Sequence, residues 1–112
     1  MYIDQLFNLN GKVAAVIGAG GHLCSEMARS FARAGCKVVI IDLRLEKAQK
    51  VEKEINEEGF NHTLSLALDV AQKEQHYQVL DDIVNHFGSL DIMVNGAGIN
   101  GSTPYLDITD EE

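Results

Sequence analysis

The sequence predicts an α/β fold on a parallel, doubly wound sheet with strand order 3-2-1-4. Three observations predict it. Short apolar runs alternate with longer segments of helical period, each helical segment closes on a glycine, and the next apolar run follows at once. Strand and helix therefore alternate as β-α-β-α-β-α-β, the pattern of parallel strands joined by right-handed crossovers. The order 3-2-1-4 is how a doubly wound sheet begins.

Taken along the chain, Asn10-Gly11 marks a turn after the leading residues. Lys12-Val13-Ala14-Ala15-Val16-Ile17 is an apolar run ending in Gly18-Ala19-Gly20-Gly21, and a short apolar run bounded by glycine reads as a buried strand. From His22 to Ala34 the period lengthens. Leu23, Met27 and Phe31 recur every four residues with Ala28 and Ala32 beside them, the expected core face of a helix. Gly35 supplies the left-handed residue that commonly ends one. Val38-Val39-Ile40-Ile41 is the second strand, finishing at Asp42. A polar helix over 44–58 is predicted to bury Ala48, Val51 and Ile55 and to stop at Gly59. Leu64, Leu66, Leu68 and Val70 then alternate with Ser65, Ala67 and Asp69, which is strand period. A helix over 71–87 is predicted to bury Val79, Leu80, Ile83, Val84 and Phe87 before Gly88. Leu90 to Val94 makes the fourth strand, running into Asn95-Gly96-Ala97-Gly98.

Composition bounds the function. The 112 residues are 46% hydrophobic and 23% charged, an ordinary globular balance with room for one core. Residues 1–112 are read as a single, partial domain. A net charge of −8 excludes general affinity for nucleic acid or anionic lipid. No apolar run is long enough for a membrane span, and Met1-Tyr2-Ile3-Asp4 shows no basic leader, so a cytoplasmic location is expected. Cys24 and Cys36 form no CxxC and are expected to be free thiols. Cys24 fits a small packing residue better than a nucleophile. His62, His76 and His86 lack metal-ligand spacing.

The chemistry gathers at the ends of the strands. In the turn Gly18-Ala19-Gly20-Gly21-His22-Leu23, glycines let the backbone approach a pyrophosphate while a helix N-terminus supplies free N–H donors. Asp42 lies 24 residues after Gly18, near the offset at which an acid meets an adenosine ribose. A carboxylate there accepts hydrogen bonds from ribose hydroxyls and repels a 2′-phosphate, which favours NAD over NADP, with Arg44 two residues on pulling the other way. Asp69-Val70 and Asn95-Gly96-Ala97-Gly98 complete the set. All four lie at carboxyl ends of parallel strands, the edge where open α/β sheets bind ligands. His22 has two readings: a ring donating to a phosphate oxygen, or a loop histidine facing water.

These residues together resemble the short-chain dehydrogenase/reductase family, with its Rossmann-type fold. The resemblance rests on 12–19, Asp42, Asp69-Val70, Leu90-Asp91-Ile92-Met93-Val94 and 95–98, and covers Leu9 to Glu112. It implies that Gly18, Gly20, Gly21, His22 and Leu23 hold the pyrophosphate and Asp42 the adenosine ribose. It implies that Asp69 and Val70 flank the adenine, and that Asn95, Ala97 and Gly98 line the site near the nicotinamide ribose. Two departures stand out. The family's Thr-Gly-x-x-x-Gly-x-Gly falls on Ile17, Gly18, His22 and Cys24, so side chains at 22 and 24 are expected to crowd the pyrophosphate or the helix–strand contact, with Gly20 and Gly21 compensating in part. The family's Asn-Asn-Ala-Gly reads Asn-Gly-Ala-Gly. The run Gly20-Gly21-x-Leu23 resembles a branch of sugar and sugar-acid reductases.

The family's chemistry is carried by a Ser and by a Tyr-x-x-x-Lys pair, whose lysine lowers the tyrosine pKa for acid/base work. Four residues after the three tyrosines stand Leu6, Asp81 and Thr109, none of them lysine. Thr109-Asp110-Glu111-Glu112 is a capping box that opens a helix. The expectation is a fold truncated before its fifth strand, with an unpaired edge on strand four that favours self-association. Three functions remain in view. The first is the cofactor-binding portion of an NAD(P)-dependent oxidoreductase, taking a nicotinamide dinucleotide as its partner. The others are a non-catalytic nucleotide-binding or dimerising module, and an AdoMet-dependent methyltransferase fragment.

Overall fold

In the computed structural model, residues 2–96 are described. Eight elements run in the order α1 (Tyr2–Phe7), β1 (Val13–Ile17), α2 (His22–Arg33), β2 (Lys37–Asp42), α3 (Leu45–Glu57), β3 (Thr63–Ala67), α4 (Lys73–Phe87) and β4 (Ile92–Asn95). The four strands form one parallel sheet in the order β3-β2-β1-β4. This is the predicted 3-2-1-4 arrangement. The short helix α1 went unpredicted. Its apolar Tyr2, Ile3, Leu6 and Phe7 share one helical face, but all four are exposed, so this short helix adds nothing to the core.

The sheet carries a core on each face. Alternation along β1 sends Ala14 and Val16 to one side and Val13, Ala15 and Ile17 to the other. On the first side lie Val38, Ile40, Ala28, Ala48, Val51 and Ile55, beneath α2 and α3. On the second lie Val39, Ile41, Leu68, Val79 and Ile83, beneath α4. Burial on both faces explains why β1 and β2 are continuous apolar runs rather than alternating ones. β3 is the half-covered case, since Thr63 and Ser65 hydrogen-bond the Glu52 carboxylate of α3 at 2.8 and 2.6 Å. It is also shorter than the alternation over 64–70 suggested, ending at Ala67 with the Leu68 N–H making the last bond to β2 at the Asp42 carbonyl.

Helix ends follow the glycines. At the end of α2, Gly35 has φ +93°, its N–H donates to the Ala32 carbonyl, and the Cys36 N–H reaches Phe31. That is a Schellman closure, and α3 repeats it with Gly59 to Asn56 and Phe60 to Ile55. The next residue, Cys36, starts β2's approach with its thiol buried and 3.6 Å from the Leu9 carbonyl. Burial pushes that thiol's pKa up, and the Asp91 carboxylate adds to the shift.

Two predicted helix faces need correction. α2 packs the stripe Cys24-Ala28-Ala32 against the sheet, of which Ala28 and Ala32 were predicted, while of the stripe Leu23-Met27-Phe31 only Phe31 is partly covered. The two stripes differ by one residue, about 100° around a helix. Small side chains form the buried stripe and let α2 lie close to the sheet. Leu23, 66% exposed, and Met27 instead line an open apolar groove with Leu9, Phe31 and Val94. On the opposite face, α4 buries Val79 and Ile83 with Phe87 partly covered, while Leu80 (44%) and Val84 stand exposed. The groove on α2 reaches Val94 of β4, whose own Met93 is half exposed. Arg29 ties α2 to α3 through the Glu54 carboxylate, and Arg33 does the same with Glu58 at 2.7 Å.

Candidate functional site

At its carboxyl end β1 hands the chain to Gly18, whose φ of +83° is left-handed. The Gly18 and Ala19 N–H groups both donate to the Ile41 carbonyl, at 2.8 and 3.0 Å, and the Gly21 N–H returns to the Gly18 carbonyl at 3.0 Å. The turn is thereby folded over the end of β2 and delivers the chain into α2. No side chain caps α2 at Gly21. Its first-turn N–H groups are left to water or to a ligand.

Asp42 closes the other side of the turn. Its Oδ2 accepts the Gly20 N–H at 2.9 Å and its Oδ1 accepts the Arg44 N–H at 3.1 Å. A carboxylate held by two backbone donors presents a fixed orientation at the mouth of β2. Gly20 is what permits the approach: a Cβ there would stand 2.6 Å from Oδ2 and 2.8 Å from the Lys47 Cβ. The third wall is the β3–α4 turn. The Asp69 Oδ1 accepts the Ala71 N–H at 3.0 Å, the Asp69 N–H donates to Gln75 Oε1 at 2.8 Å, and the His76 ring sits 2.9 Å from the Val70 carbonyl.

Between these walls lies a cleft of about 380 Å³, within the roughly 300–1,000 Å³ of small-molecule sites. Of the sequence-predicted residues, Gly18, Gly21, Asp42, Asp69 and Val70 line it. Gly20 braces it through Asp42. His22 is exposed on the first turn of α2 and borders a separate polar depression with Ser25, Arg29 and Lys50. The Leu23 side chain turns away into the apolar groove. Asn95 pairs in register with Ile17 at the end of β4, while Ala97 and Gly98 lie outside the described residues. Sequence reasoning missed Ile17, Leu43, Lys47, Leu68 and Gly96 as lining residues. Leu68 was legible as the apolar phase of β3. Lys47 was not, because it reaches the cleft by standing on the first turn of α3 beside Gly20. Among the described residues, no group of three His, Cys, Asp or Glu is placed to hold a metal ion.

A cleft at the carboxyl edge of a parallel sheet, with an uncapped helix and a strand-two acid, fits a dinucleotide. The short chain dehydrogenase family model matches residues 12–112. The chain belongs to the short-chain dehydrogenase family. Within it, the chain is 41% identical over 101 residues to the uncharacterized oxidoreductase UxuB of Bacillus subtilis (strain 168), covering 90% of this chain and 36% of that protein. It is 35% identical over 101 residues to a diacetyl reductase ((S)-acetoin forming) of Staphylococcus epidermidis, covering 90% of this chain and 39% of that one. Among solved structures, the hydroxysteroid dehydrogenase from Escherichia coli superposes with a TM-score of 0.83 at 31% identity, over 95% of this chain and 44% of the other. This short-chain dehydrogenase chain thus spans well under half the length of these relatives. Among its described residues, no helix is long and apolar enough to cross a membrane.

Proposed function

We propose that the chain is the cofactor-binding portion of an NAD(P)-dependent oxidoreductase that prefers NAD. The observation that carries the preference is the Asp42 carboxylate, fixed by the Gly20 and Arg44 N–H groups at the cleft. An anion locked there accepts hydrogen bonds from vicinal hydroxyls and opposes a 2′-phosphate. The Gly18–Gly21 turn and the open end of α2 would take the pyrophosphate, with Asp69 and Val70 flanking the adenine and Leu68 beside them. Asn95 would stand on the nicotinamide side, followed in the chain by Ala97 and Gly98. His22 and Leu23 would contribute their backbone N–H groups. When bound, the dinucleotide supplies the hydride donor or acceptor, and a secondary alcohol or its ketone is the proposed co-substrate, with sugars and sugar acids as the class to screen first.

Titration with NADH and NADPH tests the reading, with competition by AdoMet as the arm that separates the methyltransferase alternative. NADH is expected to bind more tightly than NADPH. Asp42→Ala is expected to weaken NADH by about tenfold or more, the worth of charge-assisted hydrogen bonds at roughly 1.5–3 kcal/mol, and to narrow the gap between the two. An unchanged NADH/NADPH ratio in that variant would remove Asp42 from the ribose.

Self-association belongs to the same proposal. Leu23 and Met27 on α2, Leu80 and Val84 on α4, and Met93 on the edge strand β4 expose apolar surface, and exposed apolar surface together with an open sheet edge favours pairing. Sedimentation velocity at rising concentration is expected to show a growing dimer or higher fraction. A single monomer boundary at all concentrations would contradict it.

A further inference from the structure

Cys24 and Gly96 come from elements far apart in sequence and meet beneath the glycine turn. Cys24 is the third residue of α2 and only 8% exposed, packed with Val16, Ala19 and Ala28 in the core under α2. Gly96 follows β4 directly, and its N–H donates to the Ile17 carbonyl at 3.0 Å. A Cβ at 96 would lie 2.1 Å from the Cys24 Sγ and 3.1 Å from the Ile17 carbonyl oxygen. The first distance is shorter than any non-bonded contact permits. Neither neighbour yields readily, because the thiol has a single torsion inside a packed core and the carbonyl is part of a backbone pair.

We propose that Cys24 and Gly96 form a reciprocal pair that positions the glycine turn on the end of β4, the thiol filling from α2 the space that a side chain at 96 would need. The two departures from the family pattern, glycine replaced at 24 and asparagine replaced at 96, are then one exchange. The crowding expected of Cys24 falls on position 96 and is relieved there. Cys24 acts here as a positioning residue: it sets how far the first turn of α2, with its open N–H groups, stands from the end of β4. The inference rests on the dinucleotide reading, since those two places are the proposed pyrophosphate and nicotinamide walls.

The test is a double-variant cycle read by thermal melting and by NADH titration of the same proteins. Gly96→Asn alone is expected to lower the melting midpoint and to weaken NADH by more than about tenfold. Adding Cys24→Gly is expected to restore the midpoint and to bring NADH affinity back to within about threefold of the starting protein. Adding Cys24→Ser to Gly96→Asn, which keeps a γ atom against position 96, is expected to leave most of the Gly96→Asn penalty in place, as positioning by volume requires. Should Gly96→Asn fail to fold, Gly96→Ala retains the clash with Sγ and serves in its place. Penalties that simply add in the double variant, or a Gly96→Asn protein that binds and melts as the original does, overturn the pair. If the unaltered chain shows no NADH binding, the dinucleotide reading falls by itself. The melts then decide the pair alone, coupled penalties supporting it and additive ones overturning it.

Discussion

Gly20→Ala is expected to reduce NADH affinity by about a hundredfold or more. The added methyl carbon would meet Asp42 Oδ2 at 2.6 Å and the Lys47 Cβ at 2.8 Å. Lys47 Cβ is fixed to the backbone of α3, so it cannot swing aside. The Asp42 carboxylate is held by the N–H of the residue being changed, so relief requires breaking that bond or displacing the turn. Either outcome costs a charge-assisted hydrogen bond of roughly 1.5–3 kcal/mol and misaligns the donors proposed for the pyrophosphate. Fluorescence titration with NADH reads the loss, and circular dichroism separates it from unfolding. NADH binding at the original affinity in a folded Gly20→Ala protein would show that the Gly20–Asp42 contact does not shape the site.

The second large effect lies in the core. Ile40 is fully buried in the middle of β2, paired in register with Val16 of β1 and Ser65 of β3, and packed beneath α2 and α3. Ile40→Ala is expected to cost about 2–5 kcal/mol, the range for deleting a buried branched side chain and leaving a cavity. Single domains hold roughly 5–15 kcal/mol in all, so a loss of this size removes a large share of the stability through one residue. Urea unfolding should show a lower midpoint at an unchanged slope. Leu80→Ala provides the contrast. Leu80 was predicted to be core and is 44% exposed, so its loss should stay within about half a kilocalorie per mole. Equal costs at the two positions would contradict the packing described for α4.

These two residues also mark what could be read in the sequence. The sheet was legible because period and punctuation agree: continuous apolar runs need cover on both faces, and Gly35, Gly59 and Gly88 each carry the positive φ that ends a helix. Asp42 was legible because its place at a strand end follows from the same alternation. What escaped was the rotation of a helix about its own axis. Leu23-Met27-Phe31 and Cys24-Ala28-Ala32 are neighbouring stripes of equal period, and hydrophobicity ranks the larger one first. The structure buries the smaller, since close approach to β1 rewards small volume. Lys47 and the Cys24–Gly96 contact escaped for another reason. Both depend on distances between segments that no local pattern encodes.

The bond between Gly20 and Asp42 has a kinetic meaning as well. A phosphate-binding turn that ordered itself only around its ligand would charge each binding event with the entropy of fixing several backbone residues, at about 1–2 kcal/mol apiece. Here the turn is already cross-braced by the Ile41 carbonyl, by its own Gly18–Gly21 bond and by the Asp42 carboxylate. The ordering is completed when the chain folds. On the proposed reading, a nucleotide arriving at this edge would meet a turn that is already hydrogen-bonded, so its capture would be governed by encounter and desolvation rather than by the closing of a loop.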